Sequence, residues 1–335
     1  MKYVLFILLL FTVCACNQVD DKQISQNKEQ EPSSYIDNKQ ENGSITISTK
    51  DYQTILSSGE IKKLKKYDND LYFIETQYSD EQLAQDQIYK VNNKEKELIC
   101  ETHFYQGNIY DFYVYDHFMI YSDYDPYKCQ GQYCIIDNNG KKRELAKTNE
   151  FFPQLYSYQY DVFYVKNSNT TKIMKYNIQT QKETLIAEYP LHDIQLHGNK
   201  DYVFWYYDNN YYIYKDNIKK IKGQNTFGND IDIDGDYLYV LEKKESQNRL
   251  SKYNIKSNKY EEFAININSF AISDDYIIVP YLDQNLYIYD KNINKIVDIK
   301  LESVKDIYVI HKNKCLITTN NNQYIEIDLD NYISS

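Results

Sequence analysis

From about residue 44 onward, apolar and polar positions alternate with a period of two, and no stretch sustains the 3.6-residue period of a helix. That alternation sends successive side chains to opposite faces of an extended strand. One four-strand unit recurs along the chain. Its most apolar member, the second strand, reads DLYFI (70–74), FMIY (118–121), DVFYV (161–165), DYVFWY (201–206), DYLYVL (236–241), DYIIV (275–279) and KCLITT (314–319). Third strands follow as QIYKVN (87–92), YCIIDN (133–138), KIMKYN (172–177), YYIYKD (211–216), RLSKYN (249–254), NLYIYD (285–290) and QYIEID (323–328). Inner strands precede them at Tyr110–Val114, Asp193–Leu196, Asp230–Ile233, Ser269–Ile272 and Asp306–Val309. The second-strand centres Leu71, Met119, Val162, Val203, Leu238, Ile277 and Leu316 lie 35–48 residues apart, the length of one four-stranded propeller blade.

The pattern predicts an all-β domain, a β-propeller of seven four-stranded blades. Six or eight blades are also compatible, because the first unit opens on a poor inner strand, EIKKLKK (60–66). The seventh unit stops after its third strand, near Asp330. The segment 44–59 reads as a third strand, a turn and a fourth strand, and its Tyr52–Ser57 part would complete the last blade. Such a closure removes the unpaired edges of an open sheet.

Composition adjusts this picture in two ways. The 335 residues include 38 Tyr but only 1 Trp, 9 Gly and 5 Pro; tyrosine suits strands, where the ring packs and the hydroxyl reaches a partner. The net charge of −11, with no basic stripe, excludes a nucleic-acid binder and an electrostatic grip on anionic lipid. Contact with a membrane is therefore expected from a covalent anchor.

The N-terminus supplies one. Lys2 and the apolar run Tyr3–Val13 have the length of a signal-peptide core and are too short to span a bilayer. The following residues resemble a bacterial lipobox: Val13, then Cys14, the small Ala15, and Cys16. Cys14 fits the motif less well, since Val13 would precede it directly. The resemblance implies that residues 1–15 are removed and that Cys16 is diacylated, and two acyl chains anchor a protein stably. Residues 17–43 are polar and without period, and read as a disordered tether of about 30 Å reach. The domains are then 1–15 signal peptide, 16–43 lipidated Cys and tether, and 44–335 propeller, on the extracytoplasmic side of a cell membrane.

The second and third strands just quoted resemble those of bacterial surface-lipoprotein propellers of the TolB-like and low-density-lipoprotein-receptor-like kind. The resemblance spans roughly 44–330 and implies an architecture without an activity. The Trp-Thr-Asp core of the receptor blades is absent, as are the Gly-His and Trp-Asp pairs of intracellular repeats.

Candidate chemistry is sparse. The segment YSDYDPYKCQGQYC (121–134) reads as an insert between second and third strands. Tyr121, Asp123, Tyr124, Asp125 and Tyr127 would form a contact patch there, either stapled by a Cys129–Cys134 disulfide or carrying two free thiols. Cys100 and Cys315 lie in strand contexts and read as buried. Asp230, Asp232 and Asp234 imitate the start of a calcium loop, D-x-D-x-D-G, but position 12 is Leu241 instead of a bidentate Glu. The same run fits an inner strand and its turn. No nucleophile elbow, P-loop, dinucleotide fingerprint or paired-His metal motif occurs.

The expectation is a non-catalytic, monomeric binding module for a protein or glycan, with no cofactor unless calcium. A carboxylate-based glycan-active enzyme and an envelope assembly scaffold are the alternatives. Two carboxylates converging at about 5–10 Å would mark the enzyme, a broad apolar patch the scaffold, and exposed tyrosines on a polar face the binding module.

Overall fold

The computed structural model describes residues 44–47, 51–78, 84–92, 95–150, 152–192, 194–222, 231–244, 247–263, 267, 269–280, 285–301 and 304–333. The signal peptide, Cys16, the tether and Asp230 lie outside the described residues. Two short strands, β1 (Ser44–Thr46) and β2 (Gln53–Thr54), come first. Blade 1 is β3 (Glu60–Tyr67), β4 (Asp70–Tyr78), β5 (Ala84–Asn92) and β6 (Glu95–Glu101). Blade 2 is β7 (Asn108–Tyr115), β8 (Phe118–Asp125), β9 (Gln130–Asp137) and β10 (Lys142–Thr148). Blade 3 is β11 (Leu155–Tyr158), β12 (Asp161–Asn167), β13 (Thr170–Asn177) and β14 (Lys182–Pro190). Blade 4 is β15 (Leu196–Gly198), β16 (Val203–Tyr207), β17 (Asn210–Tyr214) and β18 (Ile218–Lys222). Blade 5 is β19 (Ile231–Asp234), β20 (Tyr237–Lys244), β21 (Gln247–Asn254) and β22 (Tyr260–Phe263). Blade 6 is β23 (Ala271–Ile272), β24 (Tyr276–Pro280), β25 (Asn285–Asp290) and β26 (Lys295–Lys300). Blade 7 is β27 (Val304–His311), β28 (Lys314–Thr319) and β29 (Gln323–Asp328), followed by a turn of helix, α1 (Asp330–Ile333).

Each inner strand touches the next, from β3 through β7, β11, β15, β19 and β23 to β27, and β27 returns to β3. The seven sheets therefore stand in a closed ring, and the chain is a seven-bladed β-propeller. Seven apolar clusters fill the seven gaps between neighbouring blades. A second strand is thus apolar on both faces, as a strand covered on both sides must be. In β4, Tyr72 and Ile74 face blade 2 while Leu71 and Phe73 face blade 7.

The ring is fastened where the sequence pattern predicts. β2 pairs antiparallel with β29 through Gln53↔Tyr324 and Thr54↔Gln323, giving blade 7 its fourth strand. The expected third strand before it is something else. β1 pairs in parallel with β26 and adds a fifth strand to blade 6. Ile47 and Tyr52, between β1 and β2, then plug the cluster between blades 6 and 7.

The poor inner strand of the first unit is a full strand, β3. A bulge between Ile61 and Lys63 breaks its two-residue period, so Ile61 and Leu64 both face blade 7. The supposed insert in blade 2 is also strand: β8 runs to Asp125, β9 begins at Gln130, and only residues 126–129 turn. In blades 1 to 6 the inner-to-second and third-to-fourth turns share one end, here the turn face. The second-to-third hairpin tips and the connections between blades share the other, the loop face.

Candidate functional site

The predicted contact residues separate into supports and one displayed ring. Tyr121, Asp123, Tyr124 and Asp125 are buried along β8, and only Tyr127 is exposed, so the five do not share a surface. The reason is the length of the hairpin, which draws the first four into the blade. Asp123 reaches across to the connection from blade 1. It accepts hydrogen bonds from Thr102 Oγ1 (2.5 Å), the His103 N–H (2.7 Å) and Gln132 Nε2 (3.2 Å). Burial pushes its carboxyl above the usual range despite these donors. Asp125 Oδ1 accepts the N–H groups of Tyr127 (2.9 Å) and Lys128 (3.1 Å), closing the turn.

These braces set up an aromatic platform on the loop face. The rings of Tyr105, from the connection between blades 1 and 2, and Tyr127 stack at 6.0 Å and 28°. They are 66% and 64% exposed. Tyr110 lies edge-on to both Tyr124 (6.0 Å) and Phe152 (5.3 Å), and exposed Phe152 extends the aromatic surface onto the connection to blade 3. The connection that carries Tyr105 is tight. A Cβ on Gly107 would meet Thr102 Oγ1 at 2.0 Å, so only glycine fits there. Its N–H donates to the Phe104 carbonyl (3.1 Å). Tyr105 and Phe152 carried no periodic signal in the sequence, because each stands in an irregular connection.

The two cysteines of this hairpin point apart. Cys129 is exposed on the turn and Cys134 is buried in the cluster between blades 1 and 2, and both are free thiols. Cys100 joins Cys134 in that cluster. Burial pushes the thiols of Cys134 to about 11 and of Cys100 and Cys315 to about 12, well away from thiolate chemistry at neutral pH.

The Asp-rich run forms an inner strand and its turn. Asp232 and Asp234 project from β19 on the same side, two residues apart, and Gly235 turns the chain with φ of 52°. Asp232 accepts the Ile233 N–H at 2.7 Å, and burial lifts its carboxyl to about 6. Asp234 is paired with Lys291 at 2.9 Å. Among the described residues, no three His, Cys, Asp or Glu side chains are placed to hold a metal ion.

On the blade 1–2 side of the ring, the inner strands carry a denser charged cluster. Lys63 and Lys65 of β3 both pair with Asp111 of β7, each at 2.9 Å. Burial would raise the Asp111 carboxyl, but the two ammonium groups hold it below its ordinary value. Lys65 is pushed down to about 8 by burial, and its ammonium lies 3.5 Å from the Tyr113 ring centroid. His197 of β15 feels both Lys63 and Asp111; burial and then Lys63 push its imidazole down to about 4, so it is neutral at pH 7. The repeated lysines of EIKKLKK were the available signal for this cluster.

No family model matches the chain, and no curated protein matches it in sequence. Solved structures do. The chain is similar to the β-propeller domain of the Trilobed protease from Pyrococcus furiosus, a domain described as having an open velcro topology. The identity is 13%, over 79% of this chain and 93% of that one, with a TM-score of 0.55. It is also similar to Sqt1 of Saccharomyces cerevisiae, at 8% identity over 86% of this chain and 99% of that one, with a TM-score of 0.54. Both likenesses show the propeller fold. In this chain the ring is latched by the β2–β29 pairing.

Proposed function

We propose that the chain is a non-catalytic interaction module, tethered to the extracytoplasmic side of a membrane through diacylated Cys16, that captures a protein partner on its loop face. The carrying observation is the stacked Tyr105–Tyr127 pair, two-thirds exposed on a braced backbone. Rigid exposed tyrosines offer a large contact area at little entropic cost and are enriched among interface hot spots. The double pairing of Asp111 with lysines supports a non-catalytic reading of the inner strands, since a neutralised carboxylate is a poor general base.

The test is capture on a cell-surface protein array by residues 44–335, which belong to their own compact unit. The comparison is with the Tyr105→Ala/Tyr127→Ala double variant. Loss of capture by the variant, at an unchanged unfolding temperature, is the expected result. Capture that ignores the double substitution, or capture of glycans only, overturns the reading. The anchor is tested in the full chain: Cys16→Ser should move it from the membrane to the soluble fraction.

A further inference from the structure

The turn face of blades 3 and 4 holds a cleft of about 230 Å³, at the opposite end of the blades from the platform. It is smaller than the roughly 300–1,000 Å³ of sites for drug-sized ligands, so its occupant is a small unit. Its aromatic lining comes from Tyr158, Phe163, Tyr202 and Tyr214. Tyr158, the last residue of β11, is 38% exposed. Phe163 and Tyr214 meet edge-on across the two blades at 6.2 Å.

Two ion pairs and the exposed Lys200 supply the charged part of the lining. Lys175 binds Asp161 at 2.8 Å and lies over the Phe163 ring, and Asp161 also accepts from Asn177 Nδ2 at 2.8 Å. Lys215 faces Asp201 at 3.7 Å and lies over the Tyr202 ring. The cleft is built in advance. Asn199 Oδ1 accepts the N–H groups of Asp201 (2.8 Å) and Tyr202 (2.9 Å), and the Tyr202 hydroxyl donates to Asp236 (2.8 Å). Deeper in, the Tyr156 ring lies flat on Gly198, where a Cβ would come within 2.5 Å of it.

We infer that this cleft binds a single pyranose sugar ring, as the terminal residue of a glycan. The exposed Tyr158 ring matches an apolar C–H face of a pyranose, while Phe163 is buried and, like Tyr202, carries a lysine over its ring. A Lys–Asp pair offers a donor and an acceptor side by side, which suits adjacent hydroxyls. Within each pair the charges are already matched, so neither partner must be desolvated alone when the sugar enters, and the third cation of the lining, Lys200, is exposed. A peptide side chain would use the aromatic walls but leave both ion pairs without complementary groups.

The inference stands apart from the platform, and the experiment keeps them apart. Methyl glycosides of glucose, galactose and glucuronic acid are titrated into residues 44–335, followed by the shifts of aromatic resonances. At least one glycoside should bind. Tyr158→Ala should weaken it about three- to ten-fold, as expected for one lost stacking face. Tyr158 is exposed, and an unchanged unfolding temperature verifies that the variant is folded. The Tyr105→Ala/Tyr127→Ala variant should bind the glycoside like the wild type. Absence of binding by all three glycosides overturns the inference, as does binding indifferent to Tyr158→Ala and to a second variant, Asp201→Asn.

Discussion

The blade 1–2 sector and the blade 5 sector bury carboxylates at matching positions and satisfy them in opposite ways. Glu75 and Glu242 are each the sixth residue of a second strand, and both are buried. Glu75 is paired with Lys96 at 2.6 Å, and its other oxygen accepts from Ser58 Oγ and the N–H groups of Ser58 and Gly59. Glu242 instead accepts from hydroxyls: Ser251 (2.6 Å), Tyr253 (3.1 Å), Tyr260 (3.1 Å) and Tyr211 of blade 4 (3.4 Å). The inner strands repeat the contrast. Asp111 and Asp232 each accept the next residue's N–H at 2.7 Å, but Asp111 is flanked by two lysines and Asp232 stands high at about 6. The difference teaches that one place in the repeat is put to different uses. In blade 1 the carboxylate grips the segment that latches the ring, and in blade 5 it welds two blades through tyrosines.

The largest effect should come from breaking the latch. Glu75→Ala leaves the Lys96 ammonium and the 58–59 amides without their acceptor, a loss of about 3–5 kcal/mol. Urea unfolding measures it, and hydrogen exchange should rise first at Ile55 and along β29. The equivalent change in blade 5, Glu242→Ala, removes the acceptor of hydroxyls and strands no buried cation. It should cost about 1–2 kcal/mol with no change in exchange at the latch. Equal losses from both substitutions would show that the two sites do the same job.

The inner strands sharpen the comparison through pH. Asp232, raised to about 6 when folded, contributes stability that is full below about pH 4 and is lost as pH rises through 6. His197, lowered to about 4 from 6.5, contributes stability that is full above pH 6.5 and is lost as pH falls through 4. The two slopes oppose each other between pH 4 and 6.5. Each is worth about 1–3 kcal/mol, because both residues are partly exposed and solvent screens their charge. Asp232→Asn should therefore unmask stability that rises with pH across that window, and His197→Asn stability that falls. Urea midpoints at four pH values distinguish these outcomes; two flat profiles would remove both groups from the account.

Much of the fold was legible in the chain. Second strands covered on both faces must be apolar throughout, so DVFYV and DYIIV announce themselves, and their spacing counts the blades. Even the latch was visible, since a last blade lacking a fourth strand needs one from elsewhere. The site was much less legible. Tyr127 was singled out, but Asp123 and Asp125 proved to be braces, and Tyr105, Phe152 and the cleft on the turn face gave no pattern. They lie in connections and turns, where position follows from what the neighbouring blades offer and local periodicity is silent.

By itself, then, the sequence determined the strand pattern and the closure and favoured seven blades over six or eight, because alternation and repeat length are local properties of a pleated chain. Tertiary structure decided the rest. It decided that β1 joins blade 6 in parallel, that a bulge turns Ile61 and Leu64 to one side, and that Cys134 turns inward beside Cys100 while Cys129 stays on the turn. It also decided which buried carboxylate meets a lysine and which meets tyrosines. Those outcomes depend on contacts between residues tens to hundreds of positions apart, and such contacts exist only once the ring has closed.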